Sequence, residues 1–547
     1  MNANTKLLKE KNILSYLRRM GIVLGWDGYG IQGSAPYEEI PDEVKEFLKK
    51  HADELAEKFA HEETLQRQTI TISRAAPVSP SQERMLQAGD ILQHMPQRVE
   101  PIAILVEGNL DLSSFEQSIN LLIERQEALR TAIRTKENGT YIQLVRSSVH
   151  HELEVFDLTK DALAEDRIVE IARELSIHPF DPRKPDLFRV VVVRLTDRRH
   201  VLLITIHHLM SDGWSVGLFF RDLGELYRVV EKGGLPQLPT INTSFSQLSS
   251  RLQDRRYSAG AQTQLTYWIN ELNTTCRSLN LSYDHAKSGP LSLSVAEETF
   301  IVDIEKAEGL RKISRQSSNA GGLSGSFIAA LGALLHIYSG GTKDIRIGTM
   351  AANRMSPQTE AVIGFFANVT VIKLEVRPEM QLTELLSLAN YKIKAALSNQ
   401  EVPIQDVVNH LRRNDSFESS NLYQAMFVLN TLIHGQVSLI GTDCTEIELP
   451  NDKATAQCTS LDLLWQVTEQ KDNYKGKLSY KADLFEAKTA HRIVEDYQCM
   501  LKQLYQRSDL TVAESAAYLE TGRVKCPYHR LQQELLKRSK TFFLMRL

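Results

Sequence analysis

Cysteine is scarce and scattered in this chain. Its five cysteines, Cys276, Cys444, Cys458, Cys499 and Cys526, make no CxxC pair. The spacing argues against a zinc site, and a reducing cytoplasm is the expected compartment. Long apolar runs are missing as well. No stretch approaches the roughly 20 residues that cross a bilayer, and the opening MNANTKLLKEKN has no apolar signal core. Nor does charge of one sign prevail: the formal net charge is -4, which offers nucleic acid no basic footprint. Membranes and nucleic acids are not expected partners; proteins and small molecules are.

What the chain does have is length and apolar residues. At 547 residues, 42% of them apolar, it can bury several cores, so two or three domains are expected. One stretch organises the rest: VLLITIHHLMSDGWSVGL, Val201 to Leu218. Val201 to Ile206 is an apolar run of strand length. His207 and His208 follow where that strand ends, and Asp212-Gly213 then supplies a turn. Asp212 or Ser211 can cap a helix whose apolar face is Trp214, Leu218, Phe219 and Leu223. An imidazole held against an apolar wall loses affinity for its proton and stays a neutral base, the form that proton transfer needs. The strand pleat sends His207 and His208 to opposite faces, so only one can meet a given cleft. The pattern does not say which.

HHLMSDGWS resembles the HHxxxDG core motif of nonribosomal peptide synthetase condensation domains, within the wider chloramphenicol acetyltransferase superfamily. The resemblance implies that His208 is the base or positioning group and that His207 supports it. It also implies that Asp212, with Gly213 beside it, shapes the loop while an arginine holds the aspartate. Arg354 takes that place, because it precedes IGFFANV, Ile363 to Val369, which resembles the fifth family motif and contains Asn368. Ser211, Trp214, Asn368 and Gln424 are candidates to line a substrate channel.

Other stretches extend the likeness. VSPSQERM, with Ser79, Gln82 and Arg84, resembles the first motif. RQEALRTAI resembles the second, except that Gln126 stands where histidine is common. HPFDPRKPDLFRVVVVRL, from His178, is similar to the usual approach to the core motif, and its run Val190 to Val193 is expected beside Val201 to Ile206. NQEVPIQDVV follows the sixth motif with Asn399 in place of histidine. A second pair, His150-His151, lacks the Asp-Gly and reads as surface strand. GGLSGS, Gly321 to Ser326, resembles a carrier attachment site, but the apolar helix after it reads as core.

Residues 1–61 read as helix, hairpin, helix, helix, and resemble the small docking domains by which one synthetase subunit receives another. A partner's tail would add a strand at the hairpin around Trp26, Tyr29 and Ile31. The expected fold is α/β, with two chloramphenicol acetyltransferase-like lobes in a V-shaped pseudodimer at 75–240 and 241–509. A small α/β docking domain at 1–61, a linker at 62–74 and a tail of unassigned role at 510–547 complete it. The reaction implied is amide-bond formation between a carrier-bound acyl or peptidyl thioester and a carrier-bound aminoacyl acceptor. Partner carriers supply the phosphopantetheine arms, and no covalent cofactor or metal is implied. Two alternatives are a free-standing acyltransferase using a soluble amine, alcohol or coenzyme A thioester, and a silent module that only recruits carriers. Gln126 and Asn399 favour the last slightly.

Overall fold

The computed structural model describes residues 71–522, apart from 92–98, 100, 179, 186, 274–278, 287–294, 414–421, 431–436 and 450–460, together with two strands nearer the start. Those strands, β1 (Val23–Trp26) and β2 (Ile31–Ser34), pair antiparallel with Trp26 opposite Ile31. Tyr29 and the helices expected around this pair lie outside the described residues.

The first lobe holds two sheets. β3 (Ile72–Pro77), β6 (Tyr141–Arg146) and β5 (Thr131–Thr135) form the smaller, in that spatial order. β4 (Ile102–Gly108), β7 (Glu154–Asp157), β8 (Phe188–Thr196) and β9 (Arg199–Ile206) belong to the larger. Val190 lies opposite Ile204 and Val193 opposite Val201, the pairing that the two apolar runs require. The runs are continuous rather than alternating because both faces of the sheet are covered. Val190, Val192, Leu202 and Ile204 pack into one core, and Val191, Val193, Val201 and Leu203 into another.

Four helices accompany these sheets: α1 (Pro80–Ile91), α2 (Leu112–Arg125), α3 (Ala164–Ile177) and α4 (Gly213–Lys232). In α2 the Asp111 carboxylate caps the helix by accepting from the Ser114 N–H at 2.7 Å. Phe115, Ile119, Leu122 and Ile123 then recur at helical spacing and are all fully buried. Burial of each such side chain contributes about 1.5–3 kcal/mol.

The second lobe begins with α5 (Phe245–Arg255) and α6 (Ala259–Leu272), and continues through β10 (Val295–Asp303), α7 (Ile304–Gln316) and α8 (Leu323–Tyr338). β11 (Asp344–Ala351), β12 (Asn368–Glu375), α9 (Leu382–Ser398), α10 (Ile404–Arg413) and β13 (Ala425–Asn430) follow. β14 (Thr442–Ile447), β15 (Leu463–Glu469), β16 (Asn473–Lys481), α11 (Ala487–Gln506) and α12 (Val512–Gly522) complete the described elements. Its sheet runs β10-β16-β15-β13-β11-β12. GGLSGS opens α8, which is buried on every side from Gly325 to His336, as a helix apolar all round must be.

Three boundaries differ from the sequence reading. β3 starts at Ile72, inside the stretch read as linker. Val512 and Leu519 of α12 are buried in the second lobe's core, so that lobe runs past 509 into the stretch read as tail. The largest difference is a set of crossings. Phe245 and Leu248 of α5, Val362, Ile363 and Phe366, and Val437 and Leu439 all pack in the first lobe's core. β14 then completes the first lobe's larger sheet as the outer neighbour of β4. Close backbone approach permits this. At Gly224 in α4 a Cβ would meet the Ser438 carbonyl oxygen at 2.4 Å, so only glycine lets the crossing chain lie on that helix.

Among the described residues no helix is long and apolar enough to cross a membrane. No group of three or more His, Cys, Asp or Glu side chains there is placed to hold a metal ion.

Candidate active site at the junction of the lobes

β9 ends at Ile206, and the chain turns at once. The His207 N–H donates to the Leu187 carbonyl at 2.8 Å, which keeps His207 on the strand line. Its own carbonyl accepts from the Met210 N–H at 3.0 Å, and its ring Nδ1 accepts from the Leu209 N–H at 3.0 Å. The His207 ring is therefore a structural acceptor with its proton on Nε2. It is 3% exposed, with the Phe180 ring edge-on at 5.5 Å. Burial first, then the neighbouring His208 and Arg189, pushes its pKa down to about 3.

His208 is exposed, on the other side of the turn. It is open to water on one side and closely surrounded by protein on the others. Loss of bulk solvation therefore lowers its pKa, while the Ser211 backbone and the Asp212 charge pull it part of the way back. It is neutral at physiological pH and able to accept a proton.

Asp212 caps α4, its Oδ1 accepting from the Ser215 N–H and from the Ser215 hydroxyl, both at 2.8 Å. The same oxygen accepts from Arg354 Nη2 at 3.0 Å. Oδ2 accepts from the Phe366 and Ala367 N–H groups at 3.1 and 3.3 Å. Arg354 in turn donates to Ser215 Oγ at 2.8 Å and to the Val362 carbonyl at 2.8 Å, and to the Thr359 carbonyl. Both side chains are almost wholly buried, at 2% for Arg354 and 4% for Asp212. The structure thus brings the two together across the lobes, with hydrogen bonds to offset the cost of desolvating the pair. Arg354 also lies 4.4 Å from the Phe366 ring centre.

The other candidates fall differently. Ser211 is 2% exposed, and its hydroxyl donates to the His207 carbonyl at 3.4 Å. Trp214 is half-buried and donates from Nε1 to the Glu360 carbonyl at 3.1 Å, a further tie between the lobes. Asn368, read as a channel residue, is instead buried, its amide nitrogen donating to the Gln400 and Val402 carbonyls at 2.9 and 2.6 Å. Gln424 is likewise committed, donating to Tyr283 Oη at 2.8 Å and Asp462 Oδ2 at 2.9 Å. Both amides satisfy buried polar groups rather than face a cleft. Gly213, read as structural, has nothing within 4 Å of where a Cβ would stand and no positive φ, so the fold does not require glycine there.

Several residues outside the sequence-predicted set hold the site. Gln82 donates to the Leu209 carbonyl at 2.7 Å and accepts from the Ser79 N–H at 2.8 Å, clamping α1 to the histidine turn. Ser79 and Ser81 donate to the Phe365 and Ala367 carbonyls at 3.0 and 2.8 Å. Gln126 is 1% exposed; it donates to the Ala361 carbonyl and accepts from the Ile363 N–H, both at 3.0 Å. It therefore fastens the crossing segment to the first lobe. Asn399 caps the end of α9, and its carbonyl accepts from Trp268 Nε1 at 2.8 Å. The two departures from the usual motifs thus have structural duties, and they no longer favour a silent module.

A buried His that stays neutral makes stability depend on pH. The unfolded chain binds a proton at His207 below about 6.5, where the folded chain does not, so this residue's effect is to weaken the fold as pH falls from there toward 3. Its slope reaches about 1.4 kcal/mol per pH unit. In His207→Gln the loss of stability between pH 8 and pH 5 should be smaller by up to about 2 kcal/mol, as read by urea unfolding at both values. An unchanged loss would show that His207 does not govern this range.

The fold and the site define a two-lobed α/β acyltransferase-like protein, with an imidazole at a strand end where the lobes meet. The condensation-domain family matches residues 72–523, and the chain belongs to it. A linear gramicidin synthase of Brevibacillus parabrevis is 27% identical over 452 residues, covering 82% of this chain and 6% of the synthase. Bacitracin synthase 1 of Bacillus licheniformis is 27% identical over 444 residues, covering 80% and 8%. The chain therefore spans less than a tenth of the length of either. The first condensation domain of the calcium-dependent antibiotic synthetase, solved with a substrate analogue, superposes with a TM-score of 0.66 at 16% identity, covering 81% of this chain and 99% of that one. The X-domain from teicoplanin biosynthesis superposes with 0.69 at 20%, covering 81% and 98%. These likenesses concern the fold.

Proposed function

We propose that this chain joins an acyl or peptidyl group, held as a thioester on one carrier protein, to the amine of an aminoacyl group on a second carrier. The observation that carries this reading is His208: exposed, neutral, and presented from a turn to which Gln82, Asp212 and Arg354 each contribute hydrogen bonds. The amine attacks the thioester carbon, a C–N bond forms and the C–S bond breaks. His208 takes the proton that the nitrogen sheds and can return it to the departing sulfur. A thioester is already activated, so much of the acceleration comes from holding two tethered reactants together. The phosphopantetheine arms arrive on the carriers as part of the substrates.

The stretch 1–61 is assigned as the dock for an upstream synthetase subunit. The strand pair that carries Trp26 and Ile31 supports this, since among the described residues each strand pairs only with the other, and a partner's tail can extend such an edge. We assign Tyr29, which follows Trp26 in sequence, to the same contact. The test is to incubate the chain with a panel of loaded donor and acceptor carriers and read the acceptor arm by mass spectrometry. Elongated acceptor is the expected product. Deleting 1–61 should abolish turnover at low donor concentration and spare it at high, because docking acts through effective concentration. Product from soluble amines or coenzyme A thioesters alone would point to a free-standing acyltransferase, and no product from any pair would leave a recruiting role.

A further inference from the structure

Arg256 stands in the short connection between α5 and α6, where the chain passes from the first lobe to the second. Its guanidinium serves two carboxylates at once. Nε donates to Asp406 Oδ2 at 2.7 Å and Nη2 donates to Asp406 Oδ1, a fork that takes both oxygens of one group. Nη1 donates to Glu83 Oε2 at 2.8 Å. The side chains are 16% exposed at Arg256, 22% at Asp406 and 28% at Glu83, so the cluster is set into the protein and salt can still reach it.

The two carboxylates belong to different lobes. Asp406 lies in the first turn of α10, whose Ile404, Val407 and Leu411 are buried in the second lobe's core. Glu83 lies in the first turn of α1, where Val78 just before the helix is buried in the first lobe's core and Met85 and Leu86 pack against it. Gln253, shortly before Arg256, donates to the Val78 carbonyl at 2.9 Å and to Glu83 Oε2 at 3.3 Å, so α5 and α1 meet the bridge together. The Asp212–Arg354 pair does not duplicate this tie, because the backbone it holds is the crossing segment, whose Val362 and Phe366 pack in the first lobe.

Charge gives the bridge its consequence. Among the described residues neither Glu83 nor Asp406 is paired with any other Lys or Arg. With Arg256 between them the two carboxylates draw the lobes together; without it they are like charges on facing helices. Glu83 is also the chain neighbour of Gln82, whose amide holds the Leu209 carbonyl of the histidine turn at 2.7 Å. A displacement of Glu83 is therefore passed directly to the helix that fixes the turn.

We propose that Arg256 is a positioning residue for the reaction: by bridging Glu83 and Asp406 it holds α10 of the second lobe against α1 of the first, and α1 keeps the turn where it presents His208. The proposal rests on the reading of His208 as the reacting group, but its first consequence, the fixing of the turn, is read without turnover.

The test is hydrogen exchange of the full chain, read by mass spectrometry over peptides from α1, the turn 207–212 and α10, with α11 as a control. In Arg256→Gln the first three should exchange at least about threefold faster than in the parent, and α11 should not change. Adding Glu83→Gln to that variant should restore most of the protection, because it removes one of the two like charges. Raising salt from about 0.02 M to about 0.5 M should bring the parent and Arg256→Gln together, since it screens the bridge in one and the repulsion in the other. A residue that merely packs would leave the double variant no better than the single, and the difference indifferent to salt; either result would overturn the proposal. So would a turn that exchanges alike in the parent and Arg256→Gln. If Arg256→Gln does not fold, Asp406→Asn decides: faster exchange at the turn supports the bridge, and parent-like protection there defeats it. Where condensation is measurable, kcat at low salt should fall about ten- to a hundredfold in Arg256→Gln, the scale of a small misplacement, with KM for the carriers changed much less, and should recover in the double variant; an unchanged kcat would remove Arg256 from the reaction. A parent with no condensation activity would defeat the functional reading alone, since hydrogen exchange would still decide what Arg256 does to the turn.

Discussion

Replacing His208 by alanine should lower condensation by about 10²- to 10⁴-fold, the usual worth of a positioned general base, while the chain keeps its fold and still binds carriers. The fold should survive because the His208 ring is exposed, and the hydrogen bonds that shape the turn come from its neighbours. Substituting the buried His207 has the opposite profile, costing stability first and turnover only through the turn. The pH dependence sharpens the assignment. His208 has its pKa lowered by desolvation, so the active neutral form persists to lower pH than a solvated imidazole allows, and the acid limb should fall below about 6.5. Steady-state rates for parent and His208→Ala across pH 5 to 9, with thermal melts alongside, would check it. A variant that turns over as fast as the parent would remove His208 from the chemistry.

The difference between the two histidines was half legible in the sequence. The pleat rule separates them, and the strand does end at Ile206, so one imidazole is buried and the other open. Which one faces the cleft depended on the shape of the turn, and periodicity says nothing about that. The helix after the turn was legible too, because Asp212 before an apolar stripe at Leu218, Phe219 and Leu223 is a local signal, and all three are buried in α4.

Long-range pairings were not legible in the same way. Asp212 and Arg354 are 142 positions apart, and only likeness to a family put them together. The same likeness placed Asn368 and Gln424 in a channel, where an amide beside a motif looks available. In the structure their amides answer buried carbonyls and a buried carboxylate, a demand that depends on which backbone lies overhead. β14 failed for a related reason. TDCTEI mixes polar and β-branched residues with no marked face, so nothing in it tells which of two sheets will take it. The glycine at 224, which makes room for the crossing at Ser438, looks from the sequence like a weak point in a helix.

The Asp212–Arg354 pair should produce the largest loss of stability of any polar substitution at the site. Asp212→Asn removes the charge that Arg354 faces in a site where the guanidinium is 2% exposed, and Arg354→Gln leaves the carboxylate equally stranded. Breaking a buried pair by removing one partner costs about 3–5 kcal/mol, because the surviving ion stays desolvated without compensation. The damage should reach activity as well. Asp212 holds the Phe366 and Ala367 N–H groups, and Arg354 holds the Val362 carbonyl, so the crossing segment that meets the histidine turn loosens when either fails. The double variant should be less unstable than the sum of the singles, since it strands no charge. Arg354→Lys should rescue poorly, because an ammonium cannot span Asp212, Ser215 and two carbonyls with one planar fork. Urea unfolding of the four proteins of the cycle measures the coupling. Strictly additive losses would mean that the two side chains are neighbours without being partners, and the loop would then owe its shape to the Ser215 and backbone hydrogen bonds alone.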